Sequence, residues 1–340
     1  MQIFATMSER MSLETVGDHA RRVESIGYDG LLVPEAVHDG LLSSMAALQA
    51  TQTLRVLTSV LVVFPRSPMT TAHAAWDLQA LSRGRFELGL GTQVRGNIVN
   101  RFSTPWTSPV PRMREYVDSL KAIFHSFQTG DELDFAGEHY QFKRLQPFFN
   151  PGPLETAAPA IHLGAVGPDM TRMAGARADG MMSHPTHSSA RYLEEVTLPL
   201  IAEGAAKRGR APESCPVLAA GFIMTGPDDA ALARSREWIR ELFSFLYSTP
   251  AYWPALDRTG FGDVGRELAD RVKRNQWGDL KGLVRDDMID ALVPQGRYGE
   301  IAKILRVSYG SLVERMTFPV PDDPGEDEAV ADVLSDLRSP

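Results

Sequence analysis

The chain alternates short runs of consecutive apolar residues with longer segments whose apolar positions recur at helical spacing. Gln2–Thr6 and Gly30–Val33 read as strands, and between them Ser12–Ile26 has a helical period, with Ser12 at its start, Glu14 in the first turn and Gly27 as its stop. Leu42–Gln52 is helical, Val56–Phe64 (VLTSVLVVF) is a buried strand, Pro68–Leu81 is a helix opened by proline, and Phe86–Leu90 is the fourth strand. A Pro-, Ser- and Thr-rich loop at 91–111 precedes a helix at Arg112–Phe127 and a small hairpin formed by Leu133–Phe135 and His139–Phe142. Four more strands are predicted at Ala160–Leu163, Gly180–Ser183, Pro216–Thr225 and Leu312–Phe318. Helices fall at Asp169–Ala178, Ala190–Lys207, Asp228–Leu246 and Tyr298–Tyr309. Apolar strands alternating with helices describe a parallel sheet covered on both faces. Eight such strands predict an α/β fold, a (β/α)8 TIM barrel with insertions near 91–111, 130–153 and 248–293. The barrel occupies 1–318 as one domain, and 319–340 is a tail that is acidic at first and then weakly helical. A doubly wound open sheet is the alternative.

Charge and cysteine content narrow the function. The 35 Lys and Arg against 43 Asp and Glu leave a net charge of −8, which speaks against nucleic-acid and anionic-membrane partners. Cys215 is the only cysteine, so an intrachain disulfide, a CxxC redox pair and a thiolate zinc site are all excluded. The first residues lack a basic stretch followed by a long apolar one, and no run of eighteen apolar residues occurs. A cytoplasmic protein acting on a small-molecule substrate is expected.

No GxxxxGK[ST], GxSxG or HExxH is present, and Gly89-Leu90-Gly91 carries Val94 where a dinucleotide fingerprint needs its third glycine. His38, His162, His184 and His187 fall on or after predicted strands and raise a metal barrel. The first strand, however, ends Phe4-Ala5-Thr6-Met7 and offers no ligand, so no metal is expected. Glu35, His38 and Asp39 follow strand two on the face where barrels keep their active sites. They are either an acid–base group or a polar loop. Leu163 to Thr171 runs from a strand through Gly164 and Gly167 into a helix, either as a backbone anion site or as a plain turn.

Several stretches together resemble one family. They are Gly27-Tyr28-Asp29-Gly30-Leu31-Leu32-Val33-Pro34-Glu35, Thr58-Ser59-Val60-Leu61 leading to Arg66-Ser67-Pro68-Met69, Ala75-Trp76-Asp77 through Gly91-Thr92, and Gly164-Ala165-Val166-Gly167-Pro168 with Ala178-Asp179-Gly180. In order and spacing they resemble the bacterial luciferase-like monooxygenase superfamily of flavin and deazaflavin oxidoreductases. Ser67-Pro68-Met69-Thr70, Phe149-Asn150-Pro151-Gly152-Pro153 and Ser248-Thr249-Pro250-Ala251-Tyr252 look most like its coenzyme F420-dependent branch.

The resemblance implies a barrel with the ring of the cofactor at its C-terminal mouth and a cis peptide at Ser59–Val60. It assigns cofactor binding to Ser59, Val60, Leu61, Asn97 and the phosphate loop Gly164, Ala165, Val166 and Gly167; Thr171, one turn into the following helix, and His184 are further candidates for cofactor contact. Relatives acting on a sugar phosphate carry an Asp-His pair where this chain has Glu35-Ala36, and a Glu where it has Val94, so that substrate is disfavoured. The expected activity is hydride transfer between C5 of F420 and an organic substrate, with His38 as proton donor or acceptor and Glu35 orienting the loop or ring. The alternatives are an FMN-dependent monooxygenase and a non-catalytic barrel that binds F420 or another ligand. Arg95, Arg101, Arg112 and Arg114 are candidates for the polyglutamate tail, and a homodimer is compatible with the resemblance.

Overall fold

A computed structural model describes residues 1–339. Its barrel strands are β1 (Gln2–Thr6), β2 (Gly30–Val33), β3 (Arg55–Thr58, resuming at Leu61–Val62), β4 (Phe86–Gly91), β5 (Ala160–Ala165), β6 (Gly180–Ser183), β7 (Val217–Ala219) and β8 (Arg315–Thr317). Each pairs in parallel with the next, and β8 pairs with β1, so the sheet closes into a (β/α)8 barrel. Closure excludes the doubly wound alternative.

Three predicted elements differ. Val56–Phe64 is not one strand: the ladder stops after Thr58 and resumes at Leu61, and the Ser59–Val60 bond between is cis, as the resemblance implied. Pro216–Thr225 divides after Ala219, where Ala220 and Gly221 offer little side chain to hold a strand. Met224–Gly226 instead pairs with Gln295–Arg297 in a separate two-stranded sheet. The loop at 91–111 contains a short helix at Arg95–Asn100 around buried Ile98.

Residues 222–293 build their own apolar core from Met224, Ile239, Phe243, Tyr247, Leu256, Leu268 and Met288. The tail returns to the barrel. Its helix Asp327–Arg338 buries Val330, Val333, Leu334 and Leu337, and Asp327 binds the Arg22 guanidinium at 2.6 Å.

The alternation of strand side chains stacks the barrel interior in layers. At the N-terminal end Glu87 of β4 is buried among Arg315 at 2.6 Å and Arg55 at 2.8 Å. His162 Nε2 lies 2.8 Å from the same carboxylate, in electrostatic contact rather than in an aligned hydrogen bond. His162 and these cations hold the Glu87 carboxyl far below the ordinary carboxylate range despite its burial, so it is a fixed anion closing the barrel floor. Above it lies an apolar layer of Phe4, Leu32, Leu57, Met182 and Leu218. The next layer up is the mouth.

Candidate active site at the barrel mouth

Val60 is the platform of the mouth. It rests on the apolar layer, and its methyls fill space that side chains on β4 and β5 would need. A Cβ on Gly91 would lie 2.3 Å from Val60 Cγ2, and one on Gly164 2.8 Å from Cγ1. Glycine at both positions is therefore a packing requirement. Ser59 and Val60 stay half-exposed towards the mouth, whereas Leu61 is fully buried in the core.

Beside this platform β5 turns through Val166 and Gly167 into the helix Pro168–Arg177. The N–H groups of Val166, Gly167, Asp169 and Met170 donate to no acceptor among the described residues. A Cβ on Gly167 would meet nothing within 4 Å, so the approach is open. This cradle fits a phosphate without any cation. Thr171 differs from the expected role: its hydroxyl donates to the Gly167 carbonyl at 3.0 Å, so it shapes the turn, and the free donors are backbone groups. Asn97 lies half-buried on the short helix after β4, its amide engaged by no other residue among those described.

The loop after β2 separates residues that are close in sequence. Glu35 Oε2 accepts from the Val62 N–H at 2.6 Å and from Arg66 Nη1 at 2.9 Å, while Oε1 accepts from Arg66 Nη2 at 2.6 Å. Arg66 also binds Asp39 at 2.8 Å, and Asp39 caps the helix Gly40–Ala50 through the N–H groups of Leu41 and Leu42. Burial opposes the Arg66 charge, but the two carboxylates raise its pKa overall and keep it an ion. Glu35 is thus a clasp tying the loop to β3. His38, exposed at the loop's outer edge, forms no hydrogen bond among the described residues. Sequence reasoning missed Arg66 as the partner; the only sign was its place just after the third strand.

Of the four arginines named for the tail, Arg112 donates to Tyr140 Oη, Phe64 O and Pro105 O, and Arg101 donates to Ala36 O. Arg95 and Arg114 remain exposed.

A second imidazole group follows β6. His184 Nδ1 accepts from the Thr186 N–H at 3.3 Å and lies 2.7 Å from Thr186 Oγ1, which lies 2.9 Å from His187 Nδ1. Tyr252, from the 222–293 insertion, stacks on His184 at 4.4 Å and 13°. Burial lowers the His184 pKa to about 4; burial and then the neighbouring His184 lower that of His187 to about 3, so both rings are neutral at pH 7. Elsewhere, Glu115, Glu138 and His139 converge on the small hairpin, where Glu115 is occupied with the N–H groups of His139 and Tyr140.

These features define a (β/α)8 barrel with a glycine-backed platform and a turn of unpartnered backbone N–H groups at its mouth. The chain belongs to the luciferase-like monooxygenase family, whose model matches residues 2–315. An uncharacterised protein of Mycobacterium tuberculosis strain H37Rv is 40% identical over 304 residues, 89% of each chain. More distant relatives include F420-dependent dehydrogenases. Among solved structures, the F420-dependent tetrahydromethanopterin reductase of Methanopyrus kandleri superposes with a TM-score of 0.78 at 18% identity, covering 99% of this chain and 98% of that one. The oxygenating constituent of 3,6-diketocamphane monooxygenase from Pseudomonas putida, in complex with FMN, gives 0.72 at 15% identity over 98% and 96%. Among the described residues no helix is long and apolar enough to cross a membrane.

Proposed function

We propose that the protein is an F420-dependent oxidoreductase acting on a small organic substrate at the barrel mouth. The observation that carries this reading is the pairing of the Val60 platform with four unpartnered N–H groups on the adjacent β5 turn, which suits a flat ring with a phosphate-bearing side chain. F420-dependent relatives by sequence support the deazaflavin over FMN. When bound, the deazaflavin supplies hydride-carrying chemistry at its C5 position.

The chain's own residues would do the rest. Val60 would back the ring, and the Val166–Met170 amides would hold the phosphate. The Glu35–Arg66–Asp39 clasp would fix the wall after β2. His38, on the solvent side of that wall, would exchange a proton with water.

Parallel equilibrium titrations of the purified protein with F420 and FMN test the reading. Clear preference for F420 is expected. Preference for FMN would move the protein to the monooxygenase class, and failure to bind either would refute the assignment of the cradle.

A further inference from the structure

Which side chain meets the substrate follows from the phase of β6. A Cβ on Gly180 would strike His162 Nδ1 at 2.3 Å, so this position faces the barrel axis. Met182 lies in the interior layer with Phe4, Leu32, Leu57 and Leu218. His184 continues the same extended backbone, with φ −68° and ψ 144°, so it too points inward, one layer above Met182. Register places Gly164 and Leu218 beside Met182, hence Val166 and Ala220 beside His184. Register likewise places Thr317 beside Ala220, and Val60 packs over Gly91 and Gly164; none of these residues carries a charge. His184 is the ionisable side chain of the layer.

Its neighbours fix its proton. Nδ1 accepts from the Thr186 N–H, so the ring proton is on Nε2. The Thr186 hydroxyl then donates to His184 Nδ1 and accepts from His187 Nδ1–H. The faces against His184 come from Tyr252 and from the His187–Thr186 turn, and none carries a charge.

We infer that His184 faces the substrate and offers its Nε2–H to a neutral oxygen, so the mouth accepts an uncharged carbonyl compound or alcohol; Thr186 and His187 are the residues that position it. This rests on the proposed function for the cofactor beneath the substrate, and it moves His184 from cofactor contact to substrate contact. A phosphate or carboxylate substrate is disfavoured because the layer holds no cation to receive it.

Histidine-labelled protein without added cofactor gives the first readout, from two-bond 15N–1H spectra. His184 should be neutral and Nε2-protonated at pH 7, and Thr186→Val should raise its Nδ1-protonated fraction. A charged or Nδ1-protonated His184 in the parent protein would overturn the inference, whatever the F420 titration shows.

The second readout uses F420-loaded protein titrated with cyclohexanone and, separately, inorganic phosphate. Cyclohexanone should shift the His184 Nε2 resonance, and phosphate should leave it in place. His184→Phe should weaken cyclohexanone binding by about ten-fold, the size of one hydrogen bond, and His184→Gln, which keeps a donor, should restore most of it. F420 affinity should stay within about three-fold in both variants. A response to phosphate, no response to cyclohexanone, or a loss of F420 affinity above about ten-fold in His184→Gln would each refute it.

Discussion

Gly91→Ala gives the sharpest test of the mouth, because its effect should depend on a single neighbour. The new Cβ would sit 2.3 Å from Val60 Cγ2 and 3.1 Å from Val60 Cβ. Carbon atoms pack at about 3.5–4.0 Å, so Val60 has to retreat by roughly 1.2 Å. Rotation about χ1 gives little relief, since a β-branched side chain exchanges one methyl for another and leaves Cβ where it was. Overpacking of this kind costs about 1–3 kcal/mol. Val60→Ala alone removes two partly buried methyls, for about 1 kcal/mol. In the double variant the 2.3 Å contact no longer exists, and only the 3.1 Å approach has to be relieved. The double variant should therefore lose only about 1 kcal/mol, giving a coupling of about 1–3 kcal/mol between the sites. Urea unfolding of the four proteins measures this. F420 titration of the same set should show Gly91→Ala weakened by at least about ten-fold, because a platform displaced by about 1 Å misplaces the ring. Additivity within about 0.5 kcal/mol, or unchanged F420 affinity in Gly91→Ala, would refute the packing argument.

Glu87→Gln should cost about 3 kcal/mol at pH 7, since it leaves the Arg315 and Arg55 guanidinium groups facing a neutral amide in the barrel floor. The folded-state pKa of Glu87 lies below its ordinary 4.5, so its contribution is complete above that value and is lost as pH falls towards the folded value. The stability gap between parent and variant should be flat from about pH 8 to 5 and narrow below about 4.5; a gap unchanged at about pH 3 would contradict this. Gly167→Leu should change stability by less than about 1 kcal/mol, because its Cβ enters open space, yet remove F420 binding at every salt concentration. Neutralising Arg95 and Arg114 should instead weaken only long-tailed F420, in a salt-dependent way; loss independent of salt would make those residues structural. Arg66→Met should leave the Val62 amide less protected in hydrogen exchange, because the Glu35 carboxylate that accepts from it would lose its other partner; unchanged protection would mean the clasp holds without the cation.

The barrel strands were legible because parallel strands covered on both faces need unbroken apolar runs, and helices with periods of 3.6 have to separate them. Tyr298–Tyr309 and Gly180–Ser183 have the predicted bounds. Less was legible where tertiary packing overrides local pattern. The apolar run Val56–Phe64 gives no sign of the interruption at Ser59–Val60, since every residue there suits a strand. Residues 248–293 read as fragments because their core partners, Met224, Ile239 and Phe243, lie in earlier segments. Arg66 could not be tied to Glu35 from spacing, since the two meet only once β2 and β3 are in register.

Side-chain direction is the part of the site that spacing could not supply. Glu35, His38 and Asp39 look like one acid–base cluster in sequence, yet two of them turn to Arg66 while the imidazole between them stays in solvent. His184 and His187 look like one more polar loop, yet β6 aims the first into the barrel and Thr186 locks its proton. Both loops follow strand ends, and both fall on the face where barrel enzymes work. They differ in phase, which a strand reveals only when some residue on it is known to face inward. Here Gly180, required to be small by His162, sets that phase four residues before the imidazole it aims. A glycine at the floor of the barrel thus shows which histidine β6 carries to its mouth.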